Sequence, residues 1–121
     1  MAKILIVDDS RTSRKFLRHV LEADHHEIVD EAENGVEAIQ KYRELHPDIV
    51  TMDITMPELD GISALREILR IDAKAQVIMV TAAAQKYKVI EAIKYGAKDY
   101  LTKPFDAQRI YESIYSVRNM L

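Results

Sequence analysis

The side chains best suited to chemistry in this sequence stand at the ends of apolar runs. Two adjacent acids, Asp8 and Asp9, follow the run ILIV, and a third acid, Asp53, follows DIVTM. Thr81 ends the run VIMVT, and Lys103 follows DYLT. Adjacent carboxylates at the end of a buried segment repel one another and lose solvation, so their ionised forms need a positive partner. A cation is therefore expected beside Asp8 and Asp9.

The three acids together predict a magnesium site that handles phosphate. Clustered carboxylate oxygens are the hard ligands that Mg²⁺ prefers, and the metal commonly adds a phosphate oxygen to them. With Mg²⁺ and the Lys103 ammonium offsetting negative charge, Asp53 is expected to act as a nucleophile toward a phosphoryl group. Aspartyl phosphate is a known product of such nucleophiles. Each residue alone has a structural explanation, so the prediction depends on all of them meeting.

These residues can meet if the apolar runs are strands of one sheet. Strand-like runs occur at residues 3–7, 27–32, 48–52, 77–81 and 98–102, and segments with helical periodicity separate them. Strict alternation of strands and helices predicts an α/β fold, a five-stranded parallel sheet with helices on both faces. In such a fold the site forms at the carboxyl ends of the strands, where the candidate side chains stand.

Each predicted helix carries one apolar stripe with charged residues opposite, which is typical of helices that cover a sheet. The stripes consist of Phe16, Leu17, Val20 and Leu21; Val36, Ile39 and Tyr42; Ile62, Leu65 and Leu69; Val89, Ile90 and Ile93; and Ile110, Ile114, Val117 and Leu121. The basic segment SRTSRK at the start of the first helix is interpreted as a solvated face.

Composition narrows the class of protein further. The chain has 121 residues, so residues 1–121 are expected to form a single domain. The absence of cysteine excludes disulfides and thiolate chemistry, and a net charge of -3 argues against a general nucleic-acid binder. No apolar run reaches the length of a membrane span, and the first residues lack a signal-peptide profile, which predicts a cytoplasmic protein.

Four segments resemble the motifs of the receiver domain of two-component response regulators, including the stand-alone regulators of chemotaxis. They are ILIVDDS, DIVTMDITMPELDG, VIMVTAAA and GAKDYLTKPF, and the similarity extends over essentially all 121 residues. The resemblance implies a flavodoxin-like fold with strand order 2-1-3-4-5. It also implies a phosphoprotein that dephosphorylates itself and is not otherwise an enzyme.

By this resemblance, Mg²⁺ is the cofactor and binds among the acids. Asp9 and Asp53 would contact the metal directly, together with the main-chain carbonyl of Thr55, while Asp8 would act mainly through water. The segment MPELDG supplies a loop that can present this carbonyl, with Gly61 free to adopt a backbone angle that other residues dislike.

The resemblance also implies that Asp53 accepts a phosphoryl group from the phosphohistidine of a sensor histidine kinase. Lys103 would pair with that group, and Thr81 would donate a hydrogen bond to it. Movement of Thr81 would let Tyr100 swing from an exposed to a buried position, so these two residues would form the switch. The peptide bond between Lys103 and Pro104 is expected to be cis.

The switch is expected to change a surface formed by helix 4, strand 5 and helix 5, to which a downstream target protein binds. Candidate partner-facing residues are Lys86, Lys88, Tyr95 and Tyr100. Direct binding of nucleic acid and membrane insertion are not expected. Related DNA-binding regulators dimerise through a basic residue on helix 4 and an acid near strand 5. Asp99 could supply the acid, but Val89 stands at the basic position, so a monomer is expected.

Two other functions fit parts of the pattern. A small Mg²⁺-dependent phosphatase of the haloacid dehalogenase type also uses aspartate, threonine and lysine. Such enzymes place the nucleophile after the first strand and an acid two residues later, whereas here the nucleophile follows the third strand and the later residue is Thr55. The chain is alternatively a receiver domain cut from a longer DNA-binding regulator.

Overall fold

The computed structural model describes residues 1–119, which form five strands and five α-helices in strict alternation. In chain order these are β1 (Lys3–Val7), α1 (Arg11–Ala23), β2 (Glu27–Ala32), α2 (Gly35–Leu45), β3 (Ile49–Asp53), α3 (Gly61–Ile71), β4 (Val77–Ala82), α4 (Lys88–Tyr95), β5 (Asp99–Lys103) and α5 (Ala107–Arg118). A short 3₁₀ turn, Ala83–Gln85, lies between β4 and α4. Leu121, assigned to the stripe of the last helix, lies outside the described residues. No helix within residues 1–119 combines the length and apolarity needed to cross a membrane.

All five strands are parallel, and their order in the sheet is β2-β1-β3-β4-β5. The α/β class and the strand order expected from the sequence are therefore confirmed. β3 and β5 lie one residue further along the chain than predicted, so Asp53 and Lys103 are the last residues of their strands. β4 likewise continues one residue past Thr81.

Strand pairing brings the candidate residues to one edge of the sheet. The register aligns Asp53 with the residue before Thr81 in β4, and Thr81 with the residue before Lys103 in β5. The last residues aligned between β1 and β3 immediately precede Asp8 and Asp53. These four residues therefore stand at the carboxyl edge of the sheet, where ligand sites form in such folds.

A separate hydrophobic core covers each face of the sheet. In β1, Leu5 and Val7 belong to the core formed with α2, α3 and α4, whereas Ile4 and Ile6 belong to the core formed with α1 and α5. Successive side chains of a strand point to opposite faces, so a strand covered on both sides is apolar throughout. This burial explains the nearly continuous apolar runs of β1, β3 and β4.

The apolar stripe predicted for α4 is largely exposed. Ile90 and Ile93 are 64% and 43% exposed; Val89 is buried as predicted, together with Ala92, which was not part of the predicted stripe. Alanine is a weak apolar signal, so the buried side of a short helix is wrongly assigned when alanine makes the contact. Two other predicted stripe residues are also exposed, namely Phe16 and Val36.

Candidate functional site

The turn after β1 carries Asp8 and Asp9. The Asp8 amide donates a hydrogen bond to the Ala32 carbonyl of β2 at 3.0 Å, so the chain stays fixed to the sheet beyond the strand. Asp8 Oδ1 accepts from the Ser10 amide at 2.8 Å, and Ser10 caps α1 by accepting from the Ser13 amide. Under this turn Asp8 is buried, while Asp9 is exposed.

The loop between β3 and α3 fixes the backbone of Asp53. The Gly61 amide donates to the Ile54 carbonyl at 2.8 Å, and a Cβ at Gly61 would lie 2.0 Å from the Asp53 carbonyl oxygen. The close approach of this loop to the end of β3 therefore requires glycine at position 61. The expectation of a special backbone angle there is wrong, because Gly61 lies outside the left-handed region. Glu58 adopts the left-handed conformation in this loop, with φ 65°.

Thr81 and Lys103 lie in β4 and β5. Thr81 is buried, and its hydroxyl donates to the carbonyl of the next residue at 3.0 Å. The Lys103 ammonium lies 2.9 Å from Asp8 Oδ2 and 3.6 Å from Asp53 Oδ2. The Lys103–Pro104 peptide bond is cis, as the resemblance implied. Lys103 thus meets two of the acids, whereas the Thr81 hydroxyl is turned toward its own strand.

Asp8, Asp9 and Asp53 form a group that we call the acid cluster. One carboxylate oxygen of each residue lies within 4.8 Å of those of the other two. Burial, followed by the Asp8 charge, raises the pKa of Asp53 to about 7 against the opposing effect of Lys103. Burial alone would lower the pKa of Lys103, but its contacts with Asp8 and Asp53 raise it above the ordinary value.

The donor set of the acid cluster fits Mg²⁺. All three side chains offer hard carboxylate oxygens, which suit this ion. Asp8 Oδ2 is buried and, among residues 1–119, receives no hydrogen bond of good geometry, although the Lys103 ammonium is near. Buried polar atoms are normally satisfied, so such an oxygen favours a bound cation. A magnesium ion would add the positive charge that one ammonium beside three acids does not supply.

Thr55, two residues after Asp53, and Tyr100, three residues before Lys103, both contact side chains of other segments. Thr55 is exposed at the start of the loop after β3, and its hydroxyl donates to the Gln85 side chain in the turn after β4. Tyr100 is half-buried in β5, with the Lys86 ammonium 5.4 Å and the Arg109 guanidinium 5.9 Å from its ring centroid. Sequence reasoning did not predict Gln85 or Arg109 as neighbours, because spacing does not reveal side-chain contacts between separate loops.

Sequence reasoning also missed Arg14, which was interpreted as part of a solvated basic face. Arg14 is 8% exposed, and its Nη1 donates to the Asp8 carbonyl at 2.7 Å. The sequence contains a signal for this burial, because Arg14 precedes Leu17 and Leu21 by three and seven residues and therefore shares their stripe. A charged residue on a buried stripe needs polar partners.

The sequence matches the family model of the response regulator receiver domain over residues 4–115. The chain belongs to this family, and it is a receiver domain of two-component phosphorelay signalling. It is similar to the chemotaxis protein CheY of Bacillus subtilis, with 52% identity over 117 residues that cover 97% of this chain and 98% of that protein. The chemotaxis protein CheY of Thermotoga maritima is 50% identical over 115 residues, covering 95% of this chain and 96% of that protein.

Solved structures show the same fold. A crystal structure of a CheX-CheY-BeF3-Mg complex from Borrelia burgdorferi contains a chain that matches with a TM-score of 0.93 and 38% identity, covering 98% of this chain and 90% of that chain. The response regulator domain of Thermotoga maritima CheB matches with a TM-score of 0.85 and 32% identity, covering 98% of both chains.

Proposed function

We propose that Asp53 accepts a phosphoryl group from the phosphohistidine of a sensor histidine kinase, and that the chain serves as a switch in chemotaxis. The observation that carries this proposal is the meeting of Lys103 with Asp8 and Asp53, next to Asp9, at the carboxyl edge of the sheet. The similarity to chemotaxis proteins at 50% and 52% identity supports the choice of pathway.

Asp53 is the nucleophile of the proposed reaction. One of its carboxylate oxygens forms a bond to phosphorus, the bond between phosphorus and the imidazole nitrogen breaks, and the released imidazole takes up a proton. Asp8, Asp9, Asp53 and the Thr55 carbonyl would hold Mg²⁺. When bound, this ion offsets the negative charge of the carboxylates and of the transferring group. Asp53 must be ionised to attack, and the Lys103 ammonium favours that form.

Lys103 and Thr81 bind the phosphoryl group after transfer. Lys103 already lies within 3.6 Å of Asp53 Oδ2, so its ammonium can pair with oxygens carried by that carboxylate. The Thr81 hydroxyl now donates to its own strand at 3.0 Å, and rotation of the side chain lets it donate to a phosphoryl oxygen. Phosphorylation thereby changes the hydrogen bonding of β4 next to β5.

The switch acts on a surface formed by α4, β5 and α5, to which a downstream target protein binds. Tyr100 in β5 is aligned with a residue of β4 two positions before Thr81 and lies beside Lys86. α4 and the turn before it expose Tyr87, Ile90 and Ile93, and exposed apolar patches of this kind mark protein-binding surfaces. A change in the position of Tyr100 would therefore alter its contact with Lys86, which directly precedes Tyr87 in the chain.

Two of the candidate partner-facing residues lie on another side of α4. The Tyr95 ring lies under the Arg66 guanidinium of α3 at 4.4 Å. Lys88 lines a cavity of about 260 Å³ together with Arg66 and other residues of α3. Lys86 and Tyr100, in contrast, face each other. We therefore assign the switch surface to the region around Tyr100 and Lys86, which lies in the turn before α4.

A monomer is the proposed state of the chain. Asp99, the acid available for a dimer contact, is bound within the chain by Arg109 at 3.0 and 3.2 Å and by the Ser113 hydroxyl at 2.8 Å. Val89 stands at the basic position and is buried. A dimer of the kind expected for related regulators therefore lacks its basic group, and its acid is already bound within the chain. Sedimentation of the phosphorylated chain should show one copy.

Labelling with acetyl phosphate tests the proposed function. In the presence of Mg²⁺, a receiver should take up phosphate until each chain carries one phosphoryl group, and then release it slowly. A phosphatase of the haloacid dehalogenase type would release phosphate steadily over many turnovers. Thr55 has no acid group to assist a leaving group or activate water, so slow release is expected. Steady turnover, or no labelling at all, would contradict the proposal.

A further inference from the structure

We propose that Arg14 is a positioning residue of the magnesium site, which fixes the peptide between Asp8 and Asp9 and so holds both carboxylates ready for the ion. This inference rests on the proposed function, since it takes the acid cluster to be a magnesium site. Arg14 would act through the main chain, because its contact with this turn is to a carbonyl oxygen and not to a carboxylate.

Arg14 reaches the turn after β1 from the start of α1. Its Nη1 donates to the Asp8 carbonyl at 2.7 Å, in a buried hydrogen bond. That carbonyl belongs to the peptide bond that Asp8 shares with Asp9, so rotation of this peptide would redirect the Asp9 side chain. The Asp8 amide is held from the other side by the Ala32 carbonyl at 3.0 Å. The main chain is therefore fixed both before and after the Asp8 side chain.

Glu31 of β2 orients the Arg14 guanidinium. Arg14 Nε donates to Glu31 Oε1 at 2.9 Å, and Arg14 Nη2 donates to Glu33 at 3.5 Å. Glu31 also accepts from Arg18 Nε at 2.7 Å. Burial would raise the pKa of Glu31, but the hydrogen bonds from Arg18 and Arg14 bring it below the ordinary value. Glu31 thus remains ionised, and a planar guanidinium bound on two sides has one orientation.

Geometry and charge predict opposite effects of Arg14 on Mg²⁺ binding. A positive charge near the acid cluster by itself opposes a bound cation, and Glu31 at 2.9 Å offsets that charge. A role through charge alone therefore predicts that loss of Arg14 strengthens Mg²⁺ binding or leaves it unchanged. A positioning role predicts weaker binding, because residues that orient metal ligands typically contribute about 10- to 100-fold to metal affinity.

The test is the dissociation constant for Mg²⁺, measured by isothermal titration calorimetry on the whole chain. Arg14→Gln is expected to weaken binding by about tenfold or more. Arg14→Lys should weaken it less, because an ammonium can reach the carbonyl but its single nitrogen cannot span the carbonyl and Glu31 as the guanidinium does. Arg18→Gln is the matched control, since Arg18 shares Glu31 on the same helix. It should change the constant by less than about twofold.

Two further results separate a positioning role from a structural one. At saturating Mg²⁺, Arg14→Gln should regain the wild-type rate of labelling by acetyl phosphate, and without Mg²⁺ its circular dichroism spectrum should match that of the wild type, so that its weaker binding does not come from unfolding. Mg²⁺ binding by Arg14→Gln that is as tight as in the wild type, or tighter, overturns the inference.

Arg14→Lys, which keeps the positive charge, replaces Arg14→Gln if the latter does not fold, because a role through charge alone predicts no change in Mg²⁺ binding for it. Its Mg²⁺ binding should also be weaker than that of the wild type, and unchanged binding contradicts the positioning role. Failure of the wild-type chain to bind Mg²⁺ refutes the proposed function instead, so the two failures are distinguishable.

Discussion

Asp53, the proposed phosphoryl acceptor, destabilises the fold when it is ionised and no metal is bound. Its side chain is buried, and burial together with the Asp8 charge raises its pKa from 3.8 to about 7. A carboxyl group with a raised pKa resists ionisation in the folded state, so the metal-free chain loses stability as the pH rises from 3.8 to about 7. This loss is complete above that interval and absent below it, where the unfolded chain keeps its proton as well.

Asp53→Asn is expected to stabilise the metal-free chain, because the amide carries no buried charge. The expected gain is roughly 2–4 kcal/mol near pH 8 and much less near pH 5, where the wild-type carboxyl is protonated in the folded state. Urea unfolding at the two pH values measures the difference. Glu44→Gln, the same change of charge at an exposed position of α2, is the control. Equal effects of the two substitutions would contradict the role of burial.

Single residues of the site were predictable to different degrees. Asp8, Asp53 and Lys103 end or follow apolar runs, and parallel strands bring such positions together. Their contacts were not predictable, because the side-chain rotamers that place Lys103 closer to Asp8 than to Asp53 do not follow from spacing. Arg14 has a periodicity that indicates burial, but its bond to a main-chain carbonyl has no sequence signal.

The start of α3 is packed directly against the end of β3. A methyl group at Gly61 would lie 2.0 Å from the Asp53 carbonyl oxygen, which is main chain and cannot move aside without moving the strand. Gly61→Ala is therefore expected to destabilise the chain by about 2–3 kcal/mol. It should also weaken Mg²⁺ binding, because it shifts Asp53. Chemical unfolding measures the loss of stability, and calorimetry measures Mg²⁺ binding. A stability change below about 0.5 kcal/mol would show that position 61 has room for a methyl group beside the Asp53 carbonyl.

The presence of each strand and helix was predicted more reliably than its first and last residues or the face that it buries. The ranges of β1 and β2 agree with the sequence prediction, whereas β3 and β5 are displaced by one residue. In β3 the displacement arises because Asp53 still pairs with β4 although it is an acid, so a prediction based on apolar residues stops the strand too early. In α4, the contact made by Ala92 left Ile90 exposed against expectation.

The amino terminus is attached at the edge of the sheet opposite the acid cluster. The Ala2 amide donates to His26 Nδ1 at 3.0 Å, which requires that nitrogen to be unprotonated. Burial is the largest effect on His26 and lowers its pKa. Asp24, 3.2 Å from His26 Nε2, favours the charged form, whereas Arg118 and the N-terminal ammonium oppose it.

Acid is expected to weaken this attachment. A histidine with a lowered pKa contributes its full stability above the ordinary value of 6.5 and loses it as the pH falls toward the lowered value. His26→Gln should therefore reduce the fall in melting temperature between about pH 7 and pH 5. His19→Gln, at an exposed position of α1, should leave that fall unchanged. An undiminished fall in His26→Gln would exclude His26 as its source.

At the scale of the whole molecule, the alternation of strands and helices was sufficient to predict a parallel sheet covered on both faces. The strand order came from the family resemblance, because alternation and right-handed crossovers alone allow several orders. The division into two cores follows from the alternation of Leu5 and Val7 with Ile4 and Ile6 along β1. The attachment of the amino terminus by His26 was not predictable, since nothing in the spacing links residue 2 to residue 26.

The most direct test of the central claim is to locate the phosphoryl group itself. The chain is incubated with acetyl phosphate and Mg²⁺ and then reduced with borohydride, which converts an aspartyl phosphate into homoserine, and peptide mass spectrometry finds the modified position. We predict homoserine at position 53 alone, and none in the Asp53→Asn chain. Modification of a different residue, or undiminished labelling of Asp53→Asn, would contradict the assignment of Asp53 as the acceptor.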